Sequence, residues 1–524
     1  MRLTRIATTV ACCVIVATRG FAQEHPSSHS PGKLGSVHFA TSCSPAVAPA
    51  FDRSVALLHS FEFGSAIRGF QDVLAADSSC AIAWWGIALS RWTNPMAANI
   101  RPPAVVARGL EAVQAASRAS HASDRERGYI AAAAQLYTDY QTRDQRTRVV
   151  AFEKSMEDLS AKFPADTEAK IFYAIALVAS APPTDKTYAN QLKAGTILEK
   201  LFAAKPDHPG LAHYIIHSYD VPALAGRAAN AAERYADIAP AAAHALHMPS
   251  HTFTRVGMWN ESVKTNLRSR EVAIRDSSIA EALHASDYAA YAYLQMRRDS
   301  AAREILRGLP VLEARFDPTV VSGAAPGSAG VFALAAIPAR YALERRAWTE
   351  AAALQPKTSA FPYTEALTHF ARALGAAHSG DAITAQTSID SLEAFRARLA
   401  AAGEAYWAEQ VAIQRLGAVA WLDMAQGKRD DALAKMHEAA TREDATEKSA
   451  VTPGPLAPAH ELLGDMLLDL KRPVEALAEY RASLTREPNR YRSLYGASRA
   501  ASGAGDRAAE AKYAGELKLL TKPE

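Results

Sequence analysis

Histidine is concentrated in one part of this sequence. Of the 16 histidines in the 524-residue chain, seven lie within residues 208 to 284. Two pairs have four-residue spacing, His213 with His217 in HYIIH and His247 with His251 in HMPSH. Residues four apart lie on one face of a helix, so each pair can direct two imidazoles at one point. This spacing indicates a metal site or another binding site.

The residue types narrow the chemistry of such a site. Neutral imidazole with carboxylate suits Zn(II), Cu(II), Ni(II) or Fe(II), and the sequence does not choose among these metals. Neither histidine pair has the pattern of a zinc protease, because HYIIH lacks the glutamate that serves such enzymes as general base. Histidines on a helix also serve as aromatic, hydrogen-bonding contacts, so a metal-free binding surface stays open as an alternative.

The composition favours helices and disfavours nucleic acid as a partner. Apolar residues make up 49% of the chain, and alanine is frequent in stretches such as 131–134 and 351–353, which favours an all-α fold. The formal net charge is +3. Removal of Arg2, Arg5 and Arg19 with a cleaved leader gives 3 − 3 = 0. A neutral chain has no bulk charge with which to hold a polyanion.

The N-terminus has the features of a secretory signal peptide. Basic residues precede an apolar stretch from Ile6 to Ala17, and Gly20-Phe21-Ala22 offers small residues for cleavage near Ala22. We therefore expect residues 1–22 to be removed and the protein to be periplasmic or secreted. No later stretch reaches about 18 consecutive apolar residues, so no membrane span is expected. Residues 23–45, rich in Pro, Ser and His, are interpreted as a flexible leader.

Two cysteines remain after that cleavage. In an oxidising compartment the simplest expectation is a disulfide between Cys43 and Cys80. The alternative is two unpaired thiols, with Cys80 buried.

A helical repeat organises the rest of the chain. In ELLGDMLLDLKRPVEALAEYRASLTREPN, Gly464 is followed after twelve residues by Ala476, then by Tyr480 and Pro488. This segment resembles the tetratricopeptide repeat (TPR), in which small residues let two helices approach and the proline ends the second helix. The spacing recurs in the middle of the chain, where Pro206 and Pro240 are 34 residues apart.

The resemblance implies an all-α, right-handed superhelical solenoid of TPR-like helical hairpins. It covers most of residues 46–520, and a Gly/Ser/Pro-rich loop at 319–330 interrupts it. We therefore expect an N-terminal array at 46–318 and a C-terminal array at 331–524. Two further segments, HYIIHSYD and HALHMPSHTFTRVGMW, resemble a group of exported bacterial TPR proteins of unknown function.

In TPR proteins the first helix of each hairpin lines a concave groove. The resemblance places six polar residues on groove positions of two consecutive repeats: His213, His217, Asp220, His244, His247 and His251. A third repeat, fitted with more freedom, adds His284, Asp287 and Tyr291. We predict the first six as metal ligands, with Asp220 or Asp287 alternatively orienting a ring, and the last three as binding residues.

Two functions remain open at this stage. The first is an exported scaffold that holds a peptide, protein or small ligand in its groove through the histidine cluster. The second is a metal-dependent enzyme or a metal carrier with a multi-histidine site in the same groove. Three arginines after the best repeat, at positions 490, 492 and 499, are interpreted as a solvated helix face, with joint binding of a carboxylate as the alternative.

Overall fold

The chain is helical throughout the part described by a computed structural model, which comprises residues 32–96, 101–119, 121–182 and 184–522. No β-strand forms within these ranges. No helix among them is long and apolar enough to cross a membrane. The predicted signal peptide, residues 1–22, and residues 23–31 of the predicted leader lie outside the described residues.

The helices follow one another with short connections. The first part of the chain contains α1 (Ala48–His59), α2 (Phe63–Ala76), α3 (Ala81–Trp92), α4 (Pro103–Arg118), α5 (Asp124–Gln135), α6 (Gln145–Lys162), α7 (Thr167–Ser180), α8 (Ala189–Ala204), α9 (Pro209–Ser218), α10 (Ala229–Ile238), α11 (Ala243–His247), α12 (Pro249–Arg255), α13 (Trp259–Arg275), α14 (Ile279–Gln295) and α15 (Asp299–Glu313). The remainder contains α16 (Gly327–Glu344), α17 (Trp348–Ala352), α18 (Pro362–His378), α19 (Ala382–Ala401), α20 (Ala405–Ala425), α21 (Arg429–Asp444), α22 (Ala459–Asp469), α23 (Pro473–Arg486), α24 (Tyr491–Ala504) and α25 (Arg507–Leu520).

Successive helices pack as hairpins, which makes the chain an all-α solenoid of TPR-like repeats, as predicted. The hairpin of α22 and α23 shows why the repeat needs small residues. A Cβ atom on Gly464 would lie 2.9 Å from the ring of Tyr480, and one on Gly496 would lie 2.2 Å from the same ring. Tyr480 thus fills the space between three helices, and its hydroxyl donates to Asp465 over 2.7 Å.

The second half of the predicted leader is folded. Leu34 and Phe39 are buried. The Phe39 ring packs against the rings of Phe51, Trp85 and Tyr129. The prediction of a flexible leader is therefore wrong for residues 33–45, because these two apolar side chains complete the core of the first helices.

Cys43 and Cys80 form a disulfide bond with a 2.08 Å S–S distance. The bond joins the segment before α1 to the residue that precedes α3. It therefore fastens the folded end of the leader to the second hairpin.

The inner face of the first repeats is covered by later parts of the chain. Residues from Lys33 onward form one compact unit. The backbone N–H of Ala325, in the predicted interrupting loop, donates to Glu281 over 2.8 Å. The Tyr288 hydroxyl donates to the carbonyls of Ala450 and Thr452, in the loop between α21 and α22. Two loops, 316–326 and 445–458, therefore lie over the face on which the histidines stand.

Candidate metal centre

The six predicted histidines stand on neighbouring helices and all are buried. They lie on α9 (His213, His217), α11 (His244, His247), α12 (His251) and α14 (His284). Their exposed fractions run from 0% to 6%. The expected open groove is therefore filled at this point, because the two covering loops pack onto it.

Two prolines mark the first residues of helices that carry these histidines. Pro209 is the first residue of α9 and Pro249 is the first residue of α12. The missing N–H of proline costs nothing at that position. α11 ends at His247 and α12 begins at Pro249, so the helix is interrupted at Met248.

The histidines form two groups of three. One ring nitrogen from each of His213, His217 and His244, here called the first triad, lies within 4.8 Å of the others. The Nε2 atom of each ring is buried without a hydrogen-bond partner among the described residues. The three unpartnered Nε2 atoms thus belong to rings that lie close together, an arrangement that a bound cation satisfies.

The second triad consists of His247, His251 and His284, whose ring nitrogens also lie within 4.8 Å of one another. The Nε2 atoms of His247 and His251 are 3.1 Å apart. Nitrogens bound at about 2.0–2.1 Å to one tetrahedral zinc ion lie about 3.3 Å apart, so this spacing is close to that of two ligands of one metal. The Nδ1 atom of His284 is buried and finds no partner in the described ranges.

Four of the six rings direct Nδ1 at an oxygen acceptor. The acceptors are the His59 carbonyl for His213 (2.6 Å), Glu281 for His244 (3.0 Å), the Asn266 amide oxygen for His247 (2.7 Å) and Asp220 for His251 (2.8 Å). A neutral imidazole has a single N–H, so a ring that donates from Nδ1 keeps a lone pair on Nε2. Metal-ligating histidines characteristically have this second hydrogen bond, which fixes both the tautomer and the ring orientation.

Burial keeps five of the six rings, His213, His217, His247, His251 and His284, neutral. It holds the pKa values of His213, His217 and His247 well below the ordinary histidine value, and the neighbouring imidazoles add to the effect. Burial also lowers the pKa of His251, against the influence of its carboxylate partner, and lowers the pKa of His284 to about 3. Near pH 7 these five rings are therefore in the form that coordinates a metal.

Asp220, a predicted metal ligand, forms a hydrogen bond with His251 of the second triad. Its Oδ2 atom accepts from His251 and lies 3.3 Å from the ammonium of Lys448, while Oδ1 accepts from Arg255 over 2.9 Å. Burial alone would raise the pKa of Asp220, but Lys448 and Arg255 hold it well below its usual range. Asp220 therefore orients a ring, the second of the two roles considered for it.

The predicted binding residues Asp287 and Tyr291 do not face an open groove. Asp287 forms an ion pair with Arg340 over 2.8 Å, and both side chains are 0% exposed. The hydroxyl of Tyr291 donates to Glu487 over 3.1 Å and accepts from Arg490 over 3.0 Å. Both residues hold the interior together, because helices of the C-terminal half pack onto α14.

A third group, the carboxylate triad, was missed by the sequence analysis. Glu168 accepts from His59 over 2.8 Å and from His208 over 2.9 Å. The other nitrogen of His59 lies 3.1 Å from the Tyr214 hydroxyl. Because both oxygens of Glu168 are engaged, this group acts as a hydrogen-bonded support, and the His59 carbonyl positions His213 of the first triad.

Two carboxyl groups beside the first triad were also missed. Burial raises the pKa of Glu281, but His244, His284 and the backbone N–H of Ala325 together outweigh burial and lower it. Glu62 is partly buried beside Glu281, and desolvation together with that neighbour raises the pKa of Glu62 to about 8. Glu281 precedes His284 by three residues on α14, so helical spacing could have revealed it, whereas nothing in the sequence connects Glu62 with α14.

One pocket reaches both triads. It is lined by His217 and His244 from the first triad and by His251 and His284 from the second. The rest of its described wall comes from other elements: Asn94, Ala324, Ala325, Pro326, Ala329, Ser449, Ala450 and Val451. Small and uncharged side chains thus face the two histidine groups.

Comparisons with known proteins assign no family to the chain. No protein-family model and no curated protein matches it. A solved structure of human IFIT1 as a dimer with PPP-AAAA is 11% identical, with 84% of this chain and 91% of that chain covered and a TM-score of 0.41. The APC/C hetero-tetramer Cut9-Hcn1 is 10% identical over 91% of this chain and 74% of that chain, with a TM-score of 0.39. Likenesses of this degree carry no information about function.

Proposed function

We propose that the protein binds transition-metal ions in a buried histidine centre. The first and second triads each supply three imidazoles to one metal ion, which makes a two-metal site. Zn(II), Cu(II), Ni(II) and Fe(II) all suit a set of imidazole ligands. Whether the metals serve a reaction or are cargo depends on access to the pocket above them.

The main evidence for this proposal is which ring nitrogens donate a hydrogen bond and which have a free lone pair. His247 and His251 each donate from Nδ1 to an oxygen, so both Nε2 atoms present lone pairs to each other at 3.1 Å. Two lone pairs at that distance repel unless a cation lies between them. Burial disfavours a proton on either ring. A metal ion resolves the conflict, and it also satisfies the unpartnered Nε2 atoms of the first triad.

Burial counts against the alternative scaffold function for this cluster. Histidines that contact a peptide or protein in a groove must present their rings to it. The six imidazoles are at most 6% exposed, and two loops of the same chain cover them. Other surfaces of the solenoid are free to bind partners, but the histidine cluster is not arranged for that role.

Elemental analysis of untagged protein, purified from the exported fraction that the signal peptide predicts, tests the proposal. We expect about two metal ions per chain. His213→Ala should lose the ion of the first triad and His247→Ala the ion of the second, so the double variant should be free of metal.

The matched control is the double variant His38→Ala/His437→Ala, which removes two exposed histidines. It should keep the full metal content. Wild-type protein that is folded but stays metal-free, both as purified and after incubation with each of the four metals, would refute the proposal.

A further inference from the structure

The pocket above the two triads is the place where a ligand from outside the protein would meet the metals. Zinc sites that do chemistry have three protein ligands and leave the fourth position to water or substrate. Each triad supplies three ligands. His217 and His244 of the first triad and His251 and His284 of the second line the same pocket, so a molecule in this pocket would contact residues of both groups.

The described wall of this pocket offers no strong fourth ligand. Apart from the histidines, its polar side chains are Asn94 and Ser449. The Asn94 amide oxygen accepts the N–H of Met96 over 2.9 Å, and the Ser449 hydroxyl accepts the N–H of Val451 over 3.4 Å. The other wall residues are alanine, proline and valine. A molecule that enters the pocket must therefore supply the remaining metal ligand.

The charge around the two triads determines whether a neutral or an anionic molecule binds in the pocket. Neutral imidazoles do not offset the charge of two divalent ions. Asp220 already faces the two cations of Arg255 and Lys448, and Glu281 is engaged by His244. Glu62, beside the first triad, can add at most one negative charge, so the centre stays short of negative charge for two divalent ions. The cavity volume of about 20 Å³ admits only a compact group.

Resting on the proposed metal centre, we infer that this pocket takes a small anionic donor, of the size of azide or hydroxide, that completes the coordination of the bound metal. Such a position is where the reacting group of a substrate would bind, so the pocket makes the centre suited to catalysis rather than to storage.

Cobalt substitution tests the inference, because the visible spectrum of Co(II) reports its ligands. We expect azide to change the spectrum of the cobalt-loaded protein saturably. Ala450→Phe, which places a ring in the pocket wall, should keep the cobalt content and weaken the azide response by at least about tenfold. The control Ala445→Phe, at an exposed position at the end of α21, should respond like the wild type.

The outcomes separate the two proposals. A cobalt-loaded wild type whose spectrum ignores azide overturns this inference and leaves the metal centre standing. An azide response that survives unchanged in Ala450→Phe also overturns it, because the anion then binds elsewhere. If the protein takes up neither cobalt nor any of the four metals named above, the proposed function fails and the inference fails with it.

Discussion

At the scale of single residues, the hydrogen bond behind each imidazole decides what the ring can do. Asn266 illustrates this for His247. The amide nitrogen of Asn266 donates to the Ser262 carbonyl over 2.6 Å, which leaves its oxygen to accept from Nδ1 of His247. The Nε2 lone pair is thereby directed at His251.

We predict that Asn266→Leu weakens metal binding by about 10–100-fold, because loss of an outer hydrogen-bond partner frees the tautomer and tilt of a ligand ring. Competition with a chromogenic chelator measures the affinity. Ser269→Ala, one turn further along α13, removes another buried hydrogen bond, from the serine hydroxyl to the Ala243 carbonyl, and serves as control. Equal affinity in both variants would show that Asn266 has no positioning role.

At the scale of elements, the segment before α1 belongs to the folded array. Phe39 lies among three aromatic rings, and the guanidinium of Arg125 sits 4.5 Å from its ring centroid. The Ser36 N–H donates to the carbonyl of Asp207 over 2.9 Å, which attaches the same segment to the region before α9. A stretch rich in Pro and Ser is thus held by two apolar side chains and a few backbone hydrogen bonds.

We predict that Phe39→Ala lowers the free energy of unfolding by about 3–5 kcal/mol, the usual cost of deleting a buried aromatic ring. Denaturant titration followed by circular dichroism measures the change. The neighbouring variant His38→Ala removes a side chain that is 82% exposed and should stay within about 0.5 kcal/mol of the wild type. A similar, small effect of both variants would mean that the segment is not anchored.

At the scale of the whole molecule, buried charges join distant parts of the chain. Arg490, fully buried at the start of α24, lies 2.7 Å from Glu344 on α16 and 2.7 Å from Glu461 on α22. It also donates to the Tyr291 hydroxyl on α14. Together with the ion pair of Arg340 and Asp287, this network fastens the C-terminal repeats onto the helix that carries His284.

We predict that Arg490→Met destabilises the protein by about 3–5 kcal/mol, because it leaves buried carboxylates short of a counter-charge. Thermal and denaturant unfolding measure the effect. Arg499→Met, on the exposed face of the same helix, is the control and should change stability by less than about 0.5 kcal/mol. Equal stability of the two variants would contradict the role of the network.

The sequence by itself determined the features that depend on residues close together in the chain, such as helices, hairpins and helix faces. The hairpin of α22 and α23 followed from Gly464, Ala476 and Tyr480, because these residues pack within one repeat. The pairs HYIIH and HMPSH could be assigned to helix faces because helical period fixes which side chains point the same way.

Only the tertiary structure decided which of these side chains are buried and what they meet. Arg490 was interpreted as part of a solvated face, yet it contacts Tyr291, 199 residues away. The histidines were expected to line an open groove. The loops at 316–326 and 445–458 cover them instead, so several ring nitrogens are buried without a hydrogen-bond partner among the described residues. Contacts between residues far apart in sequence leave no periodic pattern, because they depend on how the repeats curve and pack rather than on the repeat itself.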